Sequence, residues 1–240
     1  MQQPQVIFLD AVGTLFGVRG TVGEIYGQLA WQAGITVDSV ALNRAFIESF
    51  RAAPRAAFPG VHALAIPAYE FAWWQAIAAR SFERVGVLNQ FSDFNHFFNE
   101  LFAYFATAAP WYVYTDVRQA LEYWQAKGIE LGVISNFDSR LYQVLEVLDL
   151  ADFFATVTLS TAVGFAKPDQ EIFAAALEKH HCPAAAAWHI GDSWAEDYQG
   201  ALAVGLRAIW LKRELDDTAK QLATEDAILT LSALLPAPPA

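Results

Sequence analysis

Cysteine and lysine are scarce in this 240-residue chain: there is one cysteine, Cys182, and no lysine precedes Lys127. A lone cysteine cannot close an internal disulfide, so a disulfide framework is excluded and a reducing, cytoplasmic setting is expected. Basic residues are few as well. Lys plus Arg is 15 against 26 for Asp plus Glu, a formal net charge of −11. Such a surface repels nucleic-acid phosphates and anionic lipid, so neither is an expected partner. No uninterrupted apolar run approaches the roughly 18 residues a membrane helix needs, so no membrane span is expected. The opening MQQPQVIFLD has neither a basic start nor a long apolar stretch and does not read as a signal peptide. There is no GxGxxG and no P-loop lysine motif, so nucleotide cofactors are not implied. No internal repeat is present.

What the chain does have is apolar mass. Hydrophobic residues make up 55 % of it and charged residues 17 %, enough for a large packed core and too apolar for disorder. The run over 6–9 is continuous and apolar, then stops at Asp10, with Gly13 and Thr14 following. Such a run reads as a strand buried on both faces, as in a parallel sheet. From residue 116 onward helical and strand patterns alternate. Helices are expected over 116–127, 138–148, 169–179 and 195–204, and strands over 129–134, 155–159, 187–190 and 206–211. Repeated βα units imply an α/β fold, a parallel sheet with helices on both faces.

Residues 17–106 break that rhythm. They hold no convincing strand and carry aromatics at helical spacing, among them Phe71, Trp73, Trp74, Phe82, Phe94, Phe97, Phe98, Phe102 and Phe105. The reading is an α-helical insertion whose aromatics mainly pack helix on helix, a ligand-facing role being the lesser expectation. The core then comprises 1–16 and 107–235, with a flexible, proline-rich tail over 236–240.

In an open parallel sheet, ligands bind beyond the carboxyl ends of the strands. Asp10 ends the first strand, Ser135 and Asn136 follow the second, Lys167 lies in the loop after the third, and Asp192 ends the fourth. If those strands are neighbours, the polar groups converge on one spot. The run His180, His181, Cys182 is a poorer metal candidate, because consecutive residues cannot all face one ion from a helix. It reads as a helix end. His189 reads as a hydrogen-bonded core histidine.

In order along the chain, VIFLDAVGTLF, VISNFD, FAKPDQEIF and HIGDSWAEDYQGA resemble the motifs of the haloacid dehalogenase-like superfamily. DAVGTLF with the following TVGEIYGQLAWQAGI resembles its REG-2-like branch. The resemblance implies a Rossmann-like core with a helical cap closing the site, commonly in Mg²⁺-dependent phosphatases. Asp10 would be the nucleophile, and Thr14, Ser135, the Asn136 backbone and Lys167 would hold the transferring group. Asp10, Asp192 and the Val12 backbone carbonyl would bind Mg²⁺. Of Glu196 and Asp197, one would hold a metal-bound water or orient Lys167.

One position departs from the phosphatase pattern. The second aspartate, two residues after the nucleophile, is here Val12, which can neither give nor take a proton. General acid–base help of that kind contributes about 10²–10⁴-fold. Three readings follow. In the first, the leaving group needs no proton, as with an acyl or activated aryl phosphate, or a halide; in the second, a cap residue such as His62 or His96 supplies one; in the third, the protein binds without turnover. The 2-haloacid dehalogenases also lack that aspartate, and they use a cap arginine, for which Arg19, Arg44, Arg51, Arg55, Arg80 and Arg84 are candidates. They need no metal, whereas Asp192 is retained here. A phosphonatase-like Schiff base needs a cap lysine, and there is none.

Overall fold

The computed structural model describes residues 3–213 and 227–236. Along the chain come β1 (Val6–Leu9), β2 (Phe16–Val18) and four helices, α1 (Val22–Gln32), α2 (Ser39–Ala52), α3 (Ile66–Arg84) and α4 (Phe94–Tyr104). Then follow β3 (Trp111–Val113), α5 (Val117–Ala126), β4 (Glu130–Ser135), α6 (Arg140–Val147), β5 (Thr156–Leu159), α7 (Ser160–Val163) and α8 (Gln170–Lys179). The last elements are β6 (Ala187–Gly191), a π-helical turn over Trp194–Gln199, α9 (Gly200–Ala203), β7 (Arg207–Leu211) and β8 (Ala227–Ile228).

The main sheet has the order β5-β4-β1-β6-β7-β8, and every pairing in it is parallel. The chain therefore winds outward through β4 and β5 on one side of β1, then returns to build the other side. Successive strand residues point to opposite faces. Ile7 and Leu9 enter one apolar cluster, with Leu121, Val133 and Leu141, and Val6 and Phe8 enter another, with Ile172, Phe173 and Trp210. Burial on both faces is why the first strand has no polar side.

Sequence patterning locates the alternating helices and strands from 116 onward, and three features differ. A short antiparallel ribbon, β2 with β3, brackets the helical insertion and reaches into the stretch read as strand-free. Three-residue strands are too short to show a period of two. Gly17 in this ribbon lies against Tyr112 and Tyr114, where a Cβ would come within 2.8–2.9 Å of their side-chain atoms. The helix expected over 195–204 opens as the π turn, and β8 extends the sheet edge where no strand was expected. Of the tail expected over 236–240, only Pro236 lies within the described residues.

The insertion starts at a capping box. Thr21 accepts from the Glu24 backbone N–H at 3.1 Å, and Glu24 accepts from the Thr21 N–H at 2.7 Å, satisfying donors that a helix start leaves free. Asp38 and Asp93 cap α2 and α4 more simply, each side chain accepting one backbone N–H, from Ala41 and His96. The four helices share a cluster of their own, including Tyr26, Leu42, Phe82, Phe97 and Phe98. No helix among the described residues is long and apolar enough to cross a membrane.

Polar contacts bolt this helical layer to the sheet layer. Glu70 of α3, only 2 % exposed, accepts from the Ser139 N–H at 3.0 Å, from the Ser139 hydroxyl, and from the Thr161 hydroxyl at 2.6 Å. The Trp74 indole N–H donates to Asp138 at 2.7 Å, the Ser160 hydroxyl donates to the Ala56 carbonyl at 2.6 Å, and Arg55 pairs with Asp169 at 2.8 Å. Removing the acceptor from buried donors costs about 1–3 kcal/mol, because they lose their partner without regaining water. Glu70→Ala is therefore expected to lower unfolding free energy by about that amount while leaving α3 formed. Thermal unfolding followed by circular dichroism checks this, and an unchanged midpoint would show that the Glu70 contacts do not hold the layers together.

Candidate active site

Because β4, β1 and β6 are adjacent, the polar residues at their carboxyl ends meet. Asp10, Ser135, Asn136, Lys167, Asp192, Glu196 and Asp197 line one cavity of about 360 Å³, and Val12 lines it too. The Lys167 ammonium, on a side chain 1 % exposed, lies 2.6 Å from Asp10 Oδ1 and 2.6 Å from Asp197 Oδ1.

Each partner is held in turn. Asn136 grips the Lys167 backbone from both sides: its Oδ1 accepts from the Lys167 N–H at 2.7 Å, and its Nδ2 donates to the Lys167 carbonyl at 3.0 Å. The same amide nitrogen is 3.1 Å from Glu196 Oε2. Asp197 takes a second bond from His189 Nε2 at 2.8 Å, and its Oδ2 accepts from the Ser193 N–H at 3.0 Å. The wide turn after β6, in which the Tyr198 N–H reaches the Ser193 carbonyl, aims Asp197 back at Lys167. Such turns recur at functional sites. Gly191 makes room, since a Cβ there would sit 2.2 Å from the Asp197 carboxyl carbon. Gly13 does likewise for Asp192: it has a positive φ of 91°, and a Cβ would lie 2.4 Å from the Asp192 carboxylate. An alanine at either place would push a carboxylate out of position.

Charge is unbalanced in this floor. Oxygens of Asp10, Asp192 and Asp197 lie within 4.8 Å of one another, and among the described residues lining the floor the only cation is Lys167. Burial raises Asp10 above the usual carboxylate range, partly offset by Lys167 and reinforced by Asp197. Withdrawal into the cavity and the charges of Asp10 and Asp197 push Asp192 up to about 7, although solvent still reaches it. Burial also works against charge on Asp197, yet Lys167 and His189 outweigh it and hold this carboxyl well below its usual range. For Lys167, burial opposes the ammonium, and Asp10 and Asp197 more than restore it.

This donor set fits a hard divalent cation. Asp197 already has both oxygens engaged, so Asp10 and Asp192 are the carboxylates with capacity left. A cation between them would relieve the repulsion that raises Asp192.

Several expectations need correction. Thr14 is fully buried and does not line the cavity, because the chain turns tightly there; its carbonyl accepts from Arg213 at 2.6 Å instead. His62 accepts from the Leu64 N–H and His96 sits beside Glu100, and neither lines the cavity. None of Arg19, Arg44, Arg51, Arg55, Arg80 and Arg84 lines it either. The arginine that does, Arg140, starts α6 and was not anticipated. His180 bonds Glu130 and Thr156, each through one ring nitrogen, which leaves it no nitrogen for a metal. The aromatic stripe divides: Phe82 and Phe97 are packed among the helices, whereas Trp74, Phe98, Phe102 and Phe105 line the cavity.

Comparison with known proteins gives a consistent family. A model described as haloacid dehalogenase-like hydrolase matches residues 4–205. The mouse haloacid dehalogenase-like hydrolase domain-containing protein 3 is 32 % identical over 238 residues, 98 % of this chain and 94 % of that protein. The rhythmically expressed gene 2 protein of Drosophila melanogaster is 27 % identical, over 84 % of this chain and 80 % of that protein. Among solved structures, a HAD phosphatase from Thermococcus onnurineus superposes with a TM-score of 0.64 at 22 % identity, covering 97 % and 96 % of the two chains. A 2-haloacid dehalogenase from Pseudomonas syringae pv. Tomato gives 0.59 at 24 % identity, covering 97 % and 96 %. YfnB of Bacillus subtilis, solved bound to magnesium, gives 0.65 at 17 % identity, covering 97 % of each chain. One fold thus carries both chemistries.

The raised Asp192 has a thermodynamic consequence. A carboxyl at about 7 in the folded protein and near 3.8 when unfolded binds its proton more tightly in the folded state. Its contribution is favourable at low pH and is lost as pH rises between those values. Chelated protein is therefore expected to lose stability from this group as pH rises from about 4 to 7, and added Mg²⁺ should restore more at pH 8 than at pH 5. Melting temperatures at both pH values, with Mg²⁺ and with chelator, test this; an equal Mg²⁺ effect at both would contradict it.

Proposed function

The chain belongs to the haloacid dehalogenase-like hydrolases, and from that premise we propose that it is a Mg²⁺-dependent phosphatase acting on a small phosphorylated metabolite through Asp10. The observation that carries the reading is the Asp10 carboxylate, bonded to Lys167 at 2.6 Å and sharing the cavity floor with Asp192.

In this reading Asp10 attacks phosphorus and the ester oxygen departs, leaving a phosphoryl group on the carboxylate. Splitting one displacement into two lowers each barrier. Lys167 neutralises charge on Asp10 and on the equatorial oxygens, which is what phosphoryl transfer most requires. Ser135 and the Asn136 backbone hold the phosphoryl oxygens. Asp197 positions Lys167, and Glu196 lies beside Asn136 at the cavity wall. Asp10, Asp192 and the Val12 carbonyl would hold Mg²⁺, whose role is charge neutralisation in a floor with surplus carboxylate. The helices over 17–106 serve as the cap that excludes water.

Val12 removes the ordinary proton donor, and no cap histidine replaces it. Tyr26 lines the cavity, but burial raises its hydroxyl above the usual tyrosine range, making it a weaker acid. With Val12 in that place a leaving oxygen that departs as an anion is favoured, which selects acyl and aryl phosphates over alkyl ones.

A second reading, displacement of halide from a 2-haloacid, is favoured by Val12 alone. The surplus of carboxylates and the absence of a cap arginine from the cavity lining speak against it. A panel of acetyl phosphate, 4-nitrophenyl phosphate and 2-chloropropionate, each with Mg²⁺ and with chelator, separates the readings. Phosphate release is expected only with Mg²⁺ and is expected to vanish in Asp10→Asn. Val12→Asp should raise alkyl phosphate hydrolysis by about 10²–10⁴-fold. Chelator-resistant phosphate release, or an active Asp10→Asn protein, would overturn the proposal. Chloride release under chelation would favour the second reading, and no turnover at all would favour a protein that binds without catalysis.

A further inference from the structure

The walls above the acidic floor are built from a different chemistry. Tyr26, Phe46, Phe50, Trp74, Phe102 and Trp111 line the cavity from four separate elements and the β2–β3 ribbon. Phe50 stacks on Trp74 with ring centroids 5.8 Å apart, and on Phe46 at 5.9 Å. These rings form a continuous aromatic surface rather than isolated side chains.

Much of the polar capacity in those walls, that of Trp74 and Arg140, is already committed. The Trp74 indole N–H donates to Asp138. Arg140 pairs with Asp138 through Nε at 2.8 Å and Nη2 at 2.7 Å, and its Nη1 donates to the Phe102 carbonyl at 3.1 Å. Its guanidinium lies 3.7 Å above the Phe102 ring centroid. Among the described residues lining the cavity, then, Lys167 is bound to two carboxylates and Arg140 to a third. A second acidic group on the substrate would meet no uncommitted cation. A sugar or polyol would bring hydroxyls to an aromatic wall, and each one left unpaired there costs about tenfold in affinity.

Two independent observations therefore converge. The floor has Val12 where the ordinary proton donor would stand, which favours a leaving oxygen stable as an anion, and the walls accept flat apolar groups. We propose that the substrate is a phosphate monoester of an aromatic hydroxyl, with the ring held between the aromatic cap residues and the phosphate on Asp10. This rests on the phosphatase reading and names its substrate class. An apolar cavity of about 150 Å³ holds benzene, so about 360 Å³ accommodates one or two fused rings with the phosphate.

The step balances without an added acid. The Asp10 oxygen forms its bond to phosphorus as the P–O(aryl) bond breaks, and the electron pair leaves on the phenolate oxygen. Water then cleaves the aspartyl phosphate. Of its two protons, one ends on the phenolate and one on inorganic phosphate, so aryl phosphate dianion plus water gives phenol and hydrogen phosphate.

The test compares phenyl, 2-naphthyl and 4-nitrophenyl phosphates with glycerol and glucose phosphates, in the presence of Mg²⁺. Alongside, binding of phenylphosphonate and methylphosphonate is read from tryptophan fluorescence, which Trp74 and Trp111 report directly. The expected result is kcat/KM at least 100-fold higher for the aryl esters, rising as the leaving phenol becomes more acidic. Phenylphosphonate is expected to bind at least tenfold tighter than methylphosphonate. Phe50→Ala should lower aryl kcat/KM about tenfold and Phe50→Tyr should restore it; Phe50 is 44 % exposed, so neither change threatens the core. If glycerol and glucose phosphates are hydrolysed as well as the aryl esters, the substrate class is overturned and the phosphatase reading stands. If no ester is hydrolysed but the phosphonate preference holds, the aromatic selectivity stands and the phosphatase reading fails. Equal binding of the two phosphonates without turnover would overturn both.

Discussion

The Lys167 ammonium, buried between Asp10 and Asp197, is the constraint around which the rest of the site is arranged. Burying a charge is tolerated only when it is paired and fully bonded, and removing one partner from such a pair costs about 3–5 kcal/mol. The neighbouring features read as supports for that pairing. Asn136 fixes the Lys167 backbone, His189 and the Ser193 N–H fix Asp197, and Gly191 leaves the space Asp197 occupies. These residues come from different strand ends, so the sheet must be assembled before the ion pair can form. The surplus negative charge left over, on Asp192 beside Asp10, would suit a cation.

The floor and the walls follow opposite rules. In the floor, Asp10 and Asp197 share the Lys167 ammonium while Asp192 is left in surplus, and the energetics are electrostatic. In the walls, the polar groups of Trp74 and Arg140 are turned toward Asp138, and a ligand meets mainly rings. Asp138 anchors Trp74 from α3 and orients Arg140 at the start of α6. With Glu70 it ties the helical layer to the sheet layer. The site thus gains a preformed aromatic wall, and such pre-organisation reduces what a ligand must order on binding.

The floor was largely legible in the sequence, because Asp10, Ser135 and Asp192 interrupt apolar strands at their carboxyl ends and Lys167 is fixed in a loop. Polar residues placed there have few structural reasons to exist. The choice between Glu196 and Asp197 was not legible, since an ordinary helix and a π turn aim those side chains differently. Arg140 and Glu70 were missed because a charged residue on a helix usually faces water, and nothing in the local pattern reveals that another layer will cover it. The aromatic stripe was ambiguous for a related reason: Phe82 and Phe98 share helical spacing rules, yet one enters the helix core and the other also borders the cavity. Thr14 was placed by motif position, and the tight turn after Gly13 buries it instead.

The central claim is that Asp10 accepts a phosphoryl group while Lys167 and a cation shared with Asp192 neutralise it. A crystal structure of the protein grown with Mg²⁺ and beryllium fluoride, which mimics a phosphoryl group on a carboxylate, tests it directly. The expected density is a tetrahedral fluoroberyllate on Asp10, with Lys167 against its fluorines and Mg²⁺ between Asp10 and Asp192. An unmodified Asp10 with the cation bound elsewhere would contradict it.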